Sequence, residues 1–217
     1  MTNQPVSPRA TLKRNALRAE YDPAVMHDIL AAEQICHVAY VHQGEPRQIA
    51  TLYMCDEEFM YLHGNRTSAL LKHMADGGEV SISVMLVDGI VVARSGFHCS
   101  MNYRSVTIYG RGEAVIGEAH RQALDDFVAI LIPGHEQVVR EPTQQELAAT
   151  AVVRVPLTEM LAKVRGGDPI DDDADLDSSV WAGTIGLKQQ ASLPQASANL
   201  SAAVAMPAYI ENYKVRG

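Results

Sequence analysis

The sequence lacks the features of secreted, membrane-spanning and nucleic-acid-binding proteins. Its three cysteines form no C-x-x-C pair, which predicts a reduced, cytoplasmic chain. The longest apolar stretch, 80–93, is broken by Asp88-Gly89 and is too short to cross a bilayer. The first 20 residues are basic but carry no apolar run, so we predict no secretory signal. Only 18 Lys and Arg oppose 26 Asp and Glu, and the net charge of -8 argues against nucleic-acid and anionic-membrane partners.

Signatures of metal and nucleotide sites are absent as well. No two histidines have metal-ligand spacing on one helix, so we predict no metal site. The acidic run at 171–177 lacks the glycine and the terminal glutamate of a calcium-binding loop, which favours a solvated connection. The chain contains no G-x-G-x-x-G fingerprint and no P-loop.

The residues that are present predict a folded, mainly β domain. Apolar residues make up 47% of the chain and charged residues 20%. Turn residues separate three strands, which form an antiparallel meander, and helical spacing marks four helices. The predicted strands are 35–42, 47–54 and 59–63, and the predicted helices are 23–34, 68–74, 117–132 and one that begins at Pro142-Thr143 with a Thr143–Glu146 capping box.

The remaining strands complete an antiparallel barrel with helices on its outside. Asp88-Gly89 is typical of a hairpin turn and predicts that 79–87 pairs with 90–97. A long strand over 103–115 follows, and another begins near 151. Six or seven short strands of this kind favour a small barrel. We divide the chain into a basic arm (1–20), the barrel domain (21–187) and a peripheral segment (188–217).

The stretch 97–112 carries the clearest chemical signal. Val106 and Ile108 alternate with Thr107 and Tyr109, as in a half-buried strand, and Arg104 and Ser105 stand at its head. A guanidinium and a hydroxyl at the end of a strand suit a phosphate ligand. The alternative interpretation is an arginine that caps the strand in water.

Several blocks in the same order resemble FMN-binding split-barrel proteins related to pyridoxamine 5'-phosphate oxidase, in the branch that contains the nitroimidazole-resistance proteins. The resemblance covers about residues 10 to 187. The blocks are TLYMCDEEFMYLHG (51–64), SALLKHM (68–74), SMNYRSVTIYGRGEAV (100–115), a stretch over 131–157, KVRGGDPIDDDAD (163–175) and VWAG (180–183).

The resemblance implies an FMN bound at the interface of a homodimer. Two strands would pass beneath the flavin, and a serine with nearby basic residues would hold the phosphate. This chain has Ala69 and Leu70 where the family usually has a basic residue, so Arg66 or Lys72 would supply the charge. The implied cofactor contacts are Thr51, Leu52, Tyr53, Tyr61, Leu62, Ser68, Lys72, Arg104, Ser105 and Trp181, the last reaching across the interface or anchoring the core.

The implied function is an FMN-dependent oxidoreductase that acts on a small molecule with NAD(P)H as electron donor. His63 would face the substrate as an acid or a hydrogen-bond donor, and a structural histidine at the strand end is the alternative. True pyridoxamine phosphate oxidases carry Arg-x-His after the Trp-x-Gly block, whereas residues 184–188 here read TIGLK, so we do not expect that activity. The second hypothesis is a non-catalytic protein that binds a flavin, a haem or a deazaflavin, and the third is a barrel with a degenerate pocket that serves only as a dimerising scaffold.

Overall fold

The computed structural model of the chain describes residues 4–216. Within them the strands are β1 (Ala19–Glu20), β2 (Ile35–His42), β3 (Glu45–Cys55), β4 (Phe59–Asn65), β5 (Glu79–Val92), β6 (Ser100–Arg111), β7 (Glu113–Val115), β8 (Thr150–Pro156), β9 (Met160–Arg165) and β10 (Gly183–Gly186). The α-helices are α1 (Pro23–Ala31), α2 (Ala69–Ala75), α3 (Gly117–Leu131), α4 (Gln144–Ala149) and α5 (Ala208–Glu211).

The strands form a curled antiparallel sheet with the helices around it. Their order is β1-β9-β6-β5-β2-β3-β4-β8-β7, and β10 pairs with β5. The predicted mainly β split barrel is therefore confirmed, as is the meander of β2, β3 and β4. Two predicted helix starts are confirmed by their caps: Asp22 accepts a hydrogen bond from the Ala24 amide, and Thr143 and Glu146 form a capping box.

The predicted hairpin at Asp88-Gly89 is wrong. β5 runs through both residues and pairs with β6 before and after Asp88, with a register shift between Val87 and Gly89. Gly89 also lies opposite Gly186 of β10 on its other side, and a Cβ at position 89 would stand 2.7 Å from the Ile185 carbonyl oxygen. Glycine thus permits the close approach of another strand, and the pairing that requires it comes from almost 100 residues further along the chain.

The two faces of the sheet are buried to different extents. The inner face carries the main core, where Val38, Leu62 and Ile108 are fully buried and α1 and α2 pack against the strands. On the outer face, α3 covers β3, β4, β7 and β8 through a smaller cluster that includes Phe127. The outer face of β2 and β5 is open in the described chain, and Met85 on it is 55% exposed.

Both terminal segments contact the barrel. Arg9 forms ion pairs with Glu79 and Glu159, and Ala10 is fully buried. Residues 1–3 of the predicted arm and residue 217 of the predicted peripheral segment lie outside the described residues. The C-terminal segment returns to α3, where the Tyr213 hydroxyl donates to the Leu131 carbonyl at 3.3 Å. None of the helices within 4–216 is both long and apolar enough to cross a membrane.

Candidate functional site

The predicted cofactor contacts on β3 and β4 divide between the two faces of the sheet. Tyr53 pairs with Leu62, and both side chains lie in the inner core. The Tyr53 hydroxyl donates to the Leu30 carbonyl at 2.7 Å, which satisfies it within the core. Since strand residues alternate, Leu52 and His63 project from the outer face beneath α3. Together with Tyr61, these are the predicted residues of β3 and β4 that offer side chains to a ligand on the outer face.

Leu52 and His63 line a cavity of about 620 Å³, which we call the α3 cavity. Its walls come from β3, β4, α3 and the segment that follows α3, and they are mainly apolar. The polar groups among its lining include His63, His135 and Arg140. Its size falls within the range of about 300–1,000 Å³ that is common for small-molecule and cofactor sites.

His63 is held on the β4 wall of the α3 cavity. Its ring lies 4.2 Å from that of Phe127, centroid to centroid, and its Nδ1 is buried without a hydrogen-bond partner among the described residues. Burial lowers the pKa of His63, so its imidazole is neutral at pH 7. A neutral imidazole with an unsatisfied nitrogen is suited to donate to a ligand, accept from one or coordinate a metal.

His135 is a second imidazole in the α3 cavity, and sequence reasoning missed it. Pro133-Gly134 predicts the end of α3, and Gly134 adopts a φ of +91° there. His135 follows this turn, and its Nδ1 lies 2.9 Å from the hydroxyl of Tyr209 on α5. No local pattern joins residues so far apart in sequence. The only local signal was the helix stop that precedes His135.

Tyr61 lies under α3 as well, in a neighbouring cavity of about 300 Å³. Its hydroxyl donates to Asp56 at 2.8 Å, and burial together with this bond raises the pKa of Tyr61. Arg154 lines the same cavity, stacks on the Phe59 ring at 3.9 Å and pairs with Glu113. Tyr61 therefore remains a protonated donor whose hydrogen is already engaged.

Arg104 and Ser105 point to opposite faces of β6, because neighbouring strand residues alternate. Ser105 pairs with Met85 on the open outer face. Arg104 forms a bidentate ion pair with Asp88, in which Nη2 lies 2.8 Å from Oδ1 and Nε lies 3.0 Å from Oδ2. These hydrogen bonds raise the pKa of Arg104 further. The two side chains therefore do not share a face of β6, although Met85, which pairs with Ser105, borders the same cavity as Arg104.

Arg104 borders a cavity of about 540 Å³ between the sheet and the C-terminal segment. Lys188 and Arg216 line it together with Arg104, and Glu33 and Asp88 contribute opposite charge. Three cations at one cavity form an environment that suits an anionic group. Two of these cations belong to a segment that the sequence marked only as peripheral.

The other predicted contacts lie outside the cavities described above. Ser68 is the N-cap residue of α2 but makes no capping hydrogen bond, and Lys72 is exposed on the same helix. Trp181 is 65% exposed beside Gly183. Thr51 occupies the inner-face register of β3 opposite Cys36. Their contacts with a cofactor remain predictions from the sequence.

Within residues 4–216, no group of three or more histidine, cysteine, aspartate or glutamate side chains is arranged to hold a metal ion. A metal held by a macrocycle is a different case, because the macrocycle itself supplies four ligands and the protein needs to add only one or two.

Comparison with known proteins places these features in a class of split-barrel proteins. The structure of the flavocytochrome Anf3 from Azotobacter vinelandii is 32% identical in sequence, with a TM-score of 0.92 over 98% of this chain and 99% of that chain. An FAD and heme binding protein from Mycobacterium smegmatis is 29% identical, with a TM-score of 0.88 over 92% of this chain and 100% of that chain.

A 5-nitroimidazole resistance protein from Bacteroides thetaiotaomicron, described as putative, shares the fold at 20% identity, with a TM-score of 0.54 over 66% of this chain and 84% of that chain. A family model described as pyridoxamine 5'-phosphate oxidase matches residues 22–164. The chain belongs to this pyridoxamine 5'-phosphate oxidase family, and the predicted resemblance is confirmed. The comparison with functionally curated proteins finds no match.

Proposed function

We propose that this chain is a flavin-binding redox protein. The observation that carries the proposal is the match to a flavocytochrome over almost the whole of both chains. The outer sheet face supports it, because Leu52, His63 and Ser105 present side chains there, on the strands that the family resemblance assigns to the cofactor. A bound flavin would supply electron transfer through its ring, while the protein would supply orientation, burial and electrostatics.

FMN is the flavin that the sequence resemblance predicts, and FAD is the alternative favoured by the mycobacterial relative. The two differ by a second phosphate and an adenosine. The cavity offers a phosphate group the cations of Arg104, Lys188 and Arg216, against the carboxylates of Glu33 and Asp88, and these groups do not distinguish the two forms. Heat release of the flavin, followed by chromatography before and after phosphodiesterase treatment, separates the two. FMN elutes unchanged after the treatment, whereas FAD is converted to FMN.

The proposed reaction is an NAD(P)H-dependent reduction of a small molecule, with His63 facing the substrate. The absence of Arg-x-His after Trp181 argues against oxidation of pyridoxamine phosphate. We expect His63→Ala to retain flavin and to change turnover or acceptor affinity, because the imidazole lies in a ligand-sized cavity. Stopped-flow reduction and reoxidation measure both half-reactions. Rates equal to those of wild type would show that His63 has only a structural role.

A homodimer completes the proposed site, as the family resemblance implies. Exposed apolar side chains support it, since Ile35, Met85 and Val87 on the open sheet face are 43%, 55% and 43% exposed and Trp181 is 65% exposed. Light scattering of the purified protein, with and without Met85→Glu, measures the assembly. The three free cysteines support the proposed cytoplasmic location.

In place of a small-molecule substrate in the α3 cavity, a haem is the alternative occupant of that cavity that we propose. The cavity is mainly apolar, holds two imidazoles and contains an orphaned buried nitrogen on His63. This donor set fits a b-type haem, which needs only axial ligands from the protein and supplies a one-electron iron couple when bound. Both full-length structural relatives named above are described as binding haem or as flavocytochromes.

One absorption spectrum of the purified protein, with cofactor titration where the protein emerges colourless, tests these proposals separately. Flavin bands support the first cofactor, and a Soret band supports the second. Protein that takes up haemin but no flavin contradicts the flavin proposal. Protein that takes up flavin but no haemin contradicts the haem proposal and leaves the oxidoreductase proposal standing.

A further inference from the structure

We propose that His135 is the axial ligand of a haem in the α3 cavity and that Tyr209 is its positioning residue. The inference rests on the haem part of the proposed function and assigns residues to it. His135 lines the cavity together with His63, but the two imidazoles differ in their surroundings.

Tyr209 holds the His135 ring in the orientation that metal binding requires. The contact of 2.9 Å engages Nδ1, so a tautomer with the proton on Nδ1 donates to the tyrosine oxygen and leaves the lone pair of Nε2 free. Histidine ligands of metals nearly always have such a partner on the other ring nitrogen, which fixes the tautomer and raises basicity.

His63 lacks this support. Its Nδ1 has no hydrogen-bond partner among the described residues, and its ring packs against Phe127 on the β4 wall. Coordination through its Nε2 would leave a buried N–H unpaired, which costs free energy. We therefore assign the iron to His135 and leave His63 as the second imidazole of the cavity, facing the bound group.

The apolar part of the cavity wall suits a macrocycle, while Asp125, Glu146 and Thr150 also line the cavity. Leu52, Leu124, Phe127, Val128 and Leu131 offer apolar side chains from β3 and α3. Arg140 also lines the cavity, but two hydrogen bonds pair it with Glu146. We therefore assign it no contact with the haem propionates.

The C-terminal segment becomes part of the site through this contact. Tyr209 lies on α5, and Tyr213 bonds to the end of α3 just before His135. The Ala- and Ser-rich stretch leads into α5, and α5 carries the residue that orients the ligand. The proposal gives this segment a role that the barrel alone would not predict.

The test is a haemin titration of the full-length protein, followed by absorption and by electron paramagnetic resonance of the ferric form. The variants are His135→Ala, Tyr209→Phe and His63→Ala, with His42→Ala at the end of β2 as the matched control. We expect His135→Ala to lose the wild-type ferric signal and added imidazole to restore it. We expect Tyr209→Phe to weaken haemin binding by about 10- to 100-fold, since it removes only the orienting partner.

Three outcomes overturn the proposal. A wild-type protein that takes up no haemin refutes both the ligand assignment and the haem part of the proposed function, while the flavin content is measured independently. Haemin bound equally by wild type and by His135→Ala refutes the assignment alone. If His63→Ala loses the ferric signal and His135→Ala retains it, the iron ligand is His63 and the assignment to His135 is wrong. Should His135→Ala fail to fold, Tyr209→Phe still decides, because a pure packing role would leave its ferric signal unchanged.

Discussion

Replacement of Arg104 by alanine is expected to weaken flavin binding by about 10- to 150-fold. Arg104 is the cation that the sequence assigns to the flavin phosphate. A hydrogen bond to a charged group contributes about 1.5–3 kcal/mol. At 25 °C this free energy corresponds to about a 10- to 150-fold change in Kd. The structure adds a competitor, because Asp88 already binds the guanidinium through Nε and Nη2.

The strength of that competitor follows from its exposure. The Arg104 and Asp88 side chains are 36% and 33% exposed, so water screens the pair, and it contributes at most about 1 kcal/mol. A phosphate therefore displaces the carboxylate. Asp88→Asn removes the competing charge with little change of shape, and flavin affinity should rise by up to about fivefold. The double variant should bind as weakly as Arg104→Ala.

The assay is quenching of flavin fluorescence at fixed ionic strength, with thermal unfolding as a check on folding. Arg111→Ala is the matched control, because Arg111 lies at the other end of β6 and pairs with Glu79 at 3.3 Å. Its flavin affinity should equal that of wild type. Unchanged affinity in Arg104→Ala would refute the phosphate assignment. Equal losses in Arg104→Ala and Asp88→Asn would show that the ion pair only supports the irregular middle of β5.

Two further predictions concern stability. Gly112→Ala should lower the free energy of unfolding by about 1–3 kcal/mol and Tm by roughly 2–12 °C, because the new Cβ would clash with the Met74 carbonyl oxygen. Gly96→Ala is the control, because a Cβ at position 96 would meet no atom within 4 Å. Equal Tm values for the two variants in calorimetry would contradict the reasoning. Hydrogen bonds from Arg9 and Ser7 lower the pKa of Glu159 to about 2. The ionised carboxylate therefore stabilises the folded state above pH 4.5, and this stabilisation is lost as the pH falls towards 2. Glu159→Gln should therefore be less stable than wild type at pH 7, with a difference in urea unfolding that shrinks between pH 4.5 and 2; a constant difference would refute the linkage.

Local patterns predicted most of the secondary structure because the signals for strands, helices and caps lie within a few residues of one another. The strand 35–42 and the helix that begins at Gly117 agree with the structure almost residue for residue. The hairpin predicted at Asp88-Gly89 was wrong because that prediction, too, used only a local pattern. A dipeptide that suits a tight turn also suits a close strand approach, and only β10 decides between the two.

The candidate site was predictable in part. His63 and Leu52 were found because they lie on consecutive strands of a recognisable motif, and the structure places both in the α3 cavity. The partner of Arg104 was not predicted, because Asp88 is 16 residues away on a neighbouring strand. His135 and Tyr209 carried no local signal at all, and their contact joins two segments that are 74 residues apart.

The sequence by itself determined the antiparallel barrel, the family and the strands that carry the proposed flavin contacts, because periodicity, turn residues and motif order are local properties of the chain. Only the tertiary structure decided which of those side chains face one cavity, that β5 continues through Asp88-Gly89, and that the C-terminal segment returns to orient His135. These features depend on long-range packing and strand register. A shift of one residue would turn each strand residue to the opposite face.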